Sequence, residues 1–144
     1  GLGNFRESDV EDLTKHKTDS EEIHVDKEAC DIINAAKSEG RKIVAVGTTV
    51  QRALETAVSA DDRLKPFDGW TNKFIFPPYD FKIADAMIAN FYLPYSTMLM
   101  LTAAFGGYEL TMRAYKEALR LNEFDTNNRY RFGTYGDAML ILND

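Results

Sequence analysis

One cysteine, Cys30, in 144 residues excludes an intramolecular disulfide. Only two histidines, His16 and His24, accompany it, too few ligands for a dedicated zinc site. No apolar run approaches the roughly 20 residues that a membrane helix needs. The longest, residues 98–105, is a buried helix at most. No basic-then-apolar leader is visible, and with the lone cysteine this points to the cytoplasm. There is no Gly-x-Ser-x-Gly elbow and no Cys/His cluster, which argues against serine, cysteine and zinc hydrolases. Positive charge is also in deficit. The 17 Lys and Arg face 23 Asp and Glu, a net charge of −6.

What is present is the composition of a globular domain, 44% hydrophobic and 28% charged, with enough chain for one core. The acidic excess is local. Residues 1–31 carry 10 acids against 4 basic residues, whereas residues 32–144 carry 13 of each. An irregular acidic region over residues 1–20 is therefore expected ahead of a neutral body. A neutral body can still present a basic patch to phosphate groups.

The periodicities predict an α/β domain, a mixed and largely parallel sheet or partial barrel flanked by helices. A short helix fits residues 9–13 and a short strand residues 21–25. Asp26 can cap a helix to about residue 39, with Ala29, Ile32, Ile33 and Ala36 on its inner face and Gly40 at its end. The β-branched run at residues 42–46 reads as a buried central strand. Thr48 or Thr49 then caps a helix to about residue 60, with Val50, Leu54, Ala57 and Val58 inward. Residues 61–69 read as a loop, and residues 73–76 and 86–92 as strands. Pro94 forces an extended residue before it, so Ser96 or Thr97 can cap a helix that stops at Gly106-Gly107. A helix over residues 108–121, a loop to residue 128 and closing strands at residues 130–132 and 138–142 complete the reading.

Three places on this outline are suited to chemistry. Gly47-Thr48-Thr49 lies between a strand and a helix, where ligands of α/β sheets collect, and Arg52 sits one turn further on. It has neither the three glycines of a dinucleotide fingerprint nor the Gly-Lys-Ser/Thr of a P-loop. The corner Asn90-Phe91-Tyr92-Leu93-Pro94-Tyr95-Ser96-Thr97 ends in a helix N-terminus, which favours anionic or polar ligands. In Tyr135-Gly136-Asp137 the carboxylate can bind hydroxyls or steady a cation, and the ring can stack on a base. Each place also has an ordinary reading as a capped corner or turn. Arg113, Lys116 and Arg120 share a helix face, and Arg129 and Arg131 flank Tyr130; such a mix suits RNA phosphates and bases, or simply a solvated face.

Five segments in order carry a resemblance. They are Gly1-Leu2-Gly3-Asn4-Phe5, Ala45-Val46-Gly47-Thr48-Thr49 with Arg52, Leu54 and Glu55, Phe74-Ile75-Phe76-Pro77-Pro78-Tyr79-Asp80-Phe81, residues 90–101, and Tyr135-Gly136-Asp137-Ala138-Met139-Leu140-Ile141. Together the sequence resembles the S-adenosylmethionine:tRNA ribosyltransferase-isomerase family of queuosine biosynthesis. The resemblance implies transfer of the ribosyl group of S-adenosylmethionine to 7-aminomethyl-7-deazaguanine in tRNA. The sugar isomerises to give epoxyqueuosine, and adenine and methionine are released. No metal or redox cofactor is implied; S-adenosylmethionine is a co-substrate and tRNA the partner. The matching positions make Gly47, Thr48, Thr49, Arg52, Asn90, Ser96 and Thr97 candidates for substrate binding. They make Asp137, Tyr135 and Glu21 candidates for catalysis.

The sequence departs from the family pattern at Thr18-Asp19-Ser20-Glu21, where the family reads M-H-S-E. Tyr92 stands where the family has histidine, and Val50 where it has serine. Those departures keep a second reading open, a non-catalytic nucleotide- or RNA-binding module of the same fold. The chain starts within a family motif, so it is expected to be the C-terminal portion of a longer protein, inactive alone and completed by a missing N-terminal part.

Overall fold

In the computed structural model, which describes residues 18–143, side-chain caps start the first and third helices where the sequence predicts, whereas the second helix starts at Gly47 with no capping bond from Thr48 or Thr49. Asp26 is extended and its carboxylate accepts from Ala29 N at 2.7 Å, so α1 (Lys27–Ser38) follows directly on β1 (Glu21–Val25). β2 (Val44–Val46) turns through Gly47, whose φ of +100° suits glycine, into α2 (Thr48–Ala57). β3 (Phe67–Thr71) and β4 (Ala86–Asn90) follow. Ser96 caps α3 (Thr97–Gly106), its Oγ accepting from Leu99 N at 3.1 Å. Gly107 separates α3 from α4 (Tyr108–Phe124), and β5 (Ala138–Leu142) closes the chain.

The strands form two open sheets. β1 and β3 pair antiparallel, with Glu21 opposite Thr71 and Val25 opposite Phe67. The other sheet has the order β2-β4-β5. β2 runs parallel to β4, with Val44 opposite Ala86, and β5 runs antiparallel to it, with Ala86 opposite Leu142. The mixed α/β class holds, and its parallel component is one pairing.

Several expectations are corrected. β2 is an edge of its sheet, not the centre: Ile43 and Ala45 are buried, but Val44 and Val46 are 48% and 64% exposed. β4 takes the central place because it has neighbours on both sides, and its Met87 is fully buried. Residues 67–71 form a strand that begins inside the loop expected over residues 61–69, because β1 supplies its ladder. Residues 73–76 form no strand, and neither do residues 130–132. On α1, Ile32 is exposed and Cys30 is the buried residue. α2 stops at Ala57, and Val50 on it is exposed. α4 continues past residue 121 to Phe124. The expected helix at residues 9–13, the Gly1–Phe5 match and His16 lie outside the described residues.

The core runs from β4 into residues of all four helices. Phe91, just beyond β4, packs on Tyr115 of α4 and on Phe132, with ring centroids 5.3 Å away in each case. Burial pushes the Tyr115 hydroxyl up to about 12, so it stays protonated while accepting from Tyr92 N at 2.7 Å. Among the described residues no helix is long and apolar enough to cross a membrane.

Candidate functional site

The sheet brings two strand-to-helix corners side by side. β2 and β4 are parallel, so the turn at Gly47 and the turn at residues 91–96 leave the same end of the sheet. Gly47 N donates to Ile88 O at 2.8 Å, which locks the first turn to the neighbouring strand. Thr48 Oγ1 and Tyr92 Oη are 3.2 Å apart, and both residues are buried. Thr48, Arg52 and Thr97 line one small depression with Lys73 and Met98. Tyr92, Ser96 and Met98 line a second with Gly133 and Thr134. Met98 is the wall between them. Thr49 lies on the exposed side of α2.

The third segment reaches the same end because β5 is antiparallel to β4. Asn90 donates through Nδ2 to the carbonyl oxygens of Gly136 and Asp137, at 3.2 and 3.3 Å. Phe91 N donates to Asp137 O, and Gly133 N to Phe91 O. The three predicted segments therefore converge on one end of the sheet. Within the turn, the Asp137 carboxylate accepts from the backbone N of Arg131 at 2.7 Å and faces the Arg131 guanidinium at 3.2 Å. Those bonds, the backbone one first, hold its carboxyl below the usual range. Tyr135 is 96% exposed, its ring free to meet another molecule.

Sequence reasoning missed the polar stripe of α2. Thr48, Gln51, Arg52 and Glu55 recur at helical spacing and all four are buried. The signal was there, since three of them belong to the motif that carried the resemblance. Arg52 Nη1 bonds the Glu21 carboxylate at 2.8 Å, Nε donates to Lys73 O at 2.8 Å and Nη2 to Thr71 O at 3.4 Å. Two site candidates from separate motifs thus form one buried ion pair. It ties α2 to β1 and to the end of β3.

Glu55 does the same for the segment after Pro78. Its carboxylate accepts from Lys82 N at 3.0 Å, Ile83 N at 3.3 Å and Tyr79 Oη at 3.2 Å. Burial pushes the Glu55 carboxyl above its ordinary 4.5, and the three hydrogen bonds only partly offset it. The folded chain then holds this proton more tightly than the unfolded one. Stability contributed by the group falls as pH rises from 4.5 through the raised folded value. Glu55→Gln, which keeps an acceptor for the two backbone N–H groups, should flatten that slope. Denaturation midpoints measured across the window would show an unchanged slope if Glu55 were not its source.

The basic residues separate into two kinds. Arg113 and Lys116 are exposed on α4, and Arg129 is exposed on the loop beyond it. Arg120 is bidentate to Glu117 through Nε and Nη2 and lies over the Phe124 ring. Arg131 is committed to Asp137. A roomier groove of about 650 Å³ lies between α4 and β5, lined by Leu110, Ala114, Leu121, Leu140 and others. Its lining is mainly apolar and lacks the convergent polar groups of the corner region, so it is the poorer candidate for a small polar substrate. Among the described residues no three His, Cys, Asp or Glu side chains are grouped to hold a metal ion.

The profile of a family described as "Queuosine biosynthesis protein" matches residues 1–141. A relative from Phocaeicola vulgatus, named S-adenosylmethionine:tRNA ribosyltransferase-isomerase, is 66% identical over 99% of this chain and 38% of its own length. One of the same name from Flavobacterium psychrophilum is 54% identical over 99% of this chain and 39% of its own. The crystal structure of S-adenosylmethionine tRNA ribosyltransferase from Thermotoga maritima is 45% identical, with a TM-score of 0.73 over 83% of this chain and 39% of that one. The chain thus spans about two fifths of the length of the curated relatives it matches. With its strand-to-helix corners carrying the matched segments, the chain belongs to the queuosine biosynthesis protein family.

Proposed function

We propose that this chain supplies the substrate-facing corners of an S-adenosylmethionine-dependent tRNA ribosyltransferase-isomerase. The observation that carries the reading is the convergence of residues 47–52, 90–97 and 135–137 at one end of the sheet, in a chain of this family. In the proposed reaction the ribosyl group leaves S-adenosylmethionine for the aminomethyl nitrogen of 7-aminomethyl-7-deazaguanine in tRNA. The sugar isomerises to the epoxycyclopentanediol of epoxyqueuosine, and adenine and methionine depart. No metal or redox cofactor enters this chemistry. Its demands are positioning and exclusion of water.

Residue roles follow from the local chemistry. Ser96 and Thr97 stand at the N-terminus of α3 and Gly47 at that of α2, where polar groups of the sugar or of methionine find donors. Asn90 holds the turn that presents Asp137, and the lowered carboxyl of Asp137 remains ionised to steady positive charge developing on the sugar. Tyr135 offers a stacking face to a base, and Arg113, Lys116 and Arg129 offer charge to tRNA phosphates. Arg52, which lines the first depression, acts here as a pair with Glu21.

The test is release of adenine when S-adenosylmethionine and precursor-bearing tRNA are mixed with a family-length polypeptide carrying this sequence. Adenine release is expected from that polypeptide and not from the 144-residue chain alone. Binding of S-adenosylmethionine without adenine release by the family-length protein would favour a non-catalytic binding module instead.

A further inference from the structure

The two depressions are joined through one hydroxyl pair. Thr48 opens α2 and lines the first; Tyr92 lines the second; their oxygens are 3.2 Å apart and the residues are 3% and 6% exposed. Tyr92 is itself held from a third element, its backbone N donating to Tyr115 Oη of α4 at 2.7 Å. Its aromatic neighbour Phe91 is fixed against the same Tyr115 ring. The tyrosine is therefore pinned at its backbone by α4 and reaches with its hydroxyl to the first turn of α2.

Two hydroxyls have two protons, and one bond between them uses one. The second proton and the remaining lone pairs are not used by that bond. Which hydroxyl donates inward then decides which one offers its proton outward. From this geometry we infer that Thr48 and Tyr92 are a coupled pair of positioning residues. They set the distance between the two corners and so the placement of the ribosyl group against its acceptor. This rests on the transferase reading above. Neither residue is assigned a bond-making role: the pair acts through the corners it spaces.

The experiment uses the family-length polypeptide with Tyr92→Phe, Thr48→Val and the double substitution. Adenine release gives kcat and KM for S-adenosylmethionine, and thermal unfolding gives Tm. Each single change removes the shared bond, so each should lower kcat by about 10- to 100-fold, as misplacement of a reacting group does. KM should stay within about twofold, and the double variant should be no slower than the worse single one, because residues that act as a unit are not additive. Three results overturn the inference: unchanged kcat in both single variants, multiplicative losses in the double, or a fall in Tm that accounts for the lost activity. Should Tyr92→Phe fail to fold, Thr48→Val decides alone on kcat against KM. An inactive unsubstituted protein overturns the transferase reading itself, which distinguishes that failure from failure of the pair.

Discussion

Replacing Arg52 with alanine is expected to remove about 3–5 kcal/mol of folding stability, the usual cost of taking one partner from a buried ion pair. Arg52 is 5% and Glu21 8% exposed, so the carboxylate left behind has little water to turn to. Two backbone carbonyls, of Lys73 and Thr71, lose a donor as well. In the sequence Arg52 is a candidate for binding substrate. With the guanidinium bonded to protein groups, the fold bears the first cost. Denaturant unfolding measures it. A double change, Glu21→Gln with Arg52→Met, should cost less than Arg52→Ala alone, because both buried charges of the pair are removed together. A loss below about 1 kcal/mol for Arg52→Ala, in the range of exposed pairs, would show the pair to be hydrated.

Gly136→Ala should be the other costly substitution. A Cβ at this position would stand 2.2 Å from Arg131 O and 2.7 Å from Arg131 C, with Phe132 C at 2.9 Å. These are backbone atoms, and the backbone there is tied on both sides. Asp137 N donates to Arg131 O, Arg131 N donates to the Asp137 carboxylate, and Gly133 N donates to Phe91 O. Relief of the clash must break some of these bonds. A loss of about 1–3 kcal/mol or more is expected. Exchange of the Arg131 and Asp137 amides should quicken before the rest of the domain. Wild-type protection at those amides would mean that the turn accepts a methyl group.

The parts of the fold that were legible in the sequence are those fixed by neighbours in sequence. Asp26 and Ser96 make their capping bonds to residues three positions on, so the starts of α1 and α3 could be read directly. The parts that were not legible depend on distant partners. Phe67-Asp68-Gly69-Trp70 has the look of a turn, and becomes a strand only because β1, more than forty residues earlier, offers its edge. Residues 42–46 have the composition of a central strand, yet the sheet order puts β4 there. α2 misled for a chemical reason. Hydrophobic periodicity assumes that the apolar stripe is the buried one, but here Gln51, Arg52 and Glu55 are inside and Val50 is outside. For the candidate site the corners were legible as corners. The bond between Thr48 and Tyr92 was not, because nothing in a one-dimensional pattern places residues 48 and 92 within reach.

The order β2-β4-β5 leaves the three-stranded sheet with two margins that no described strand covers, one carrying Val44 and Val46 outward and the other Leu140 and Leu142. Such margins are templates on which further strands can grow, whether from the same polypeptide or from a second molecule. Protein concentration is therefore an experimental variable for the isolated chain. Unfolding curves recorded at one concentration would fold self-association into the apparent stability, and dilution series are needed to separate the two.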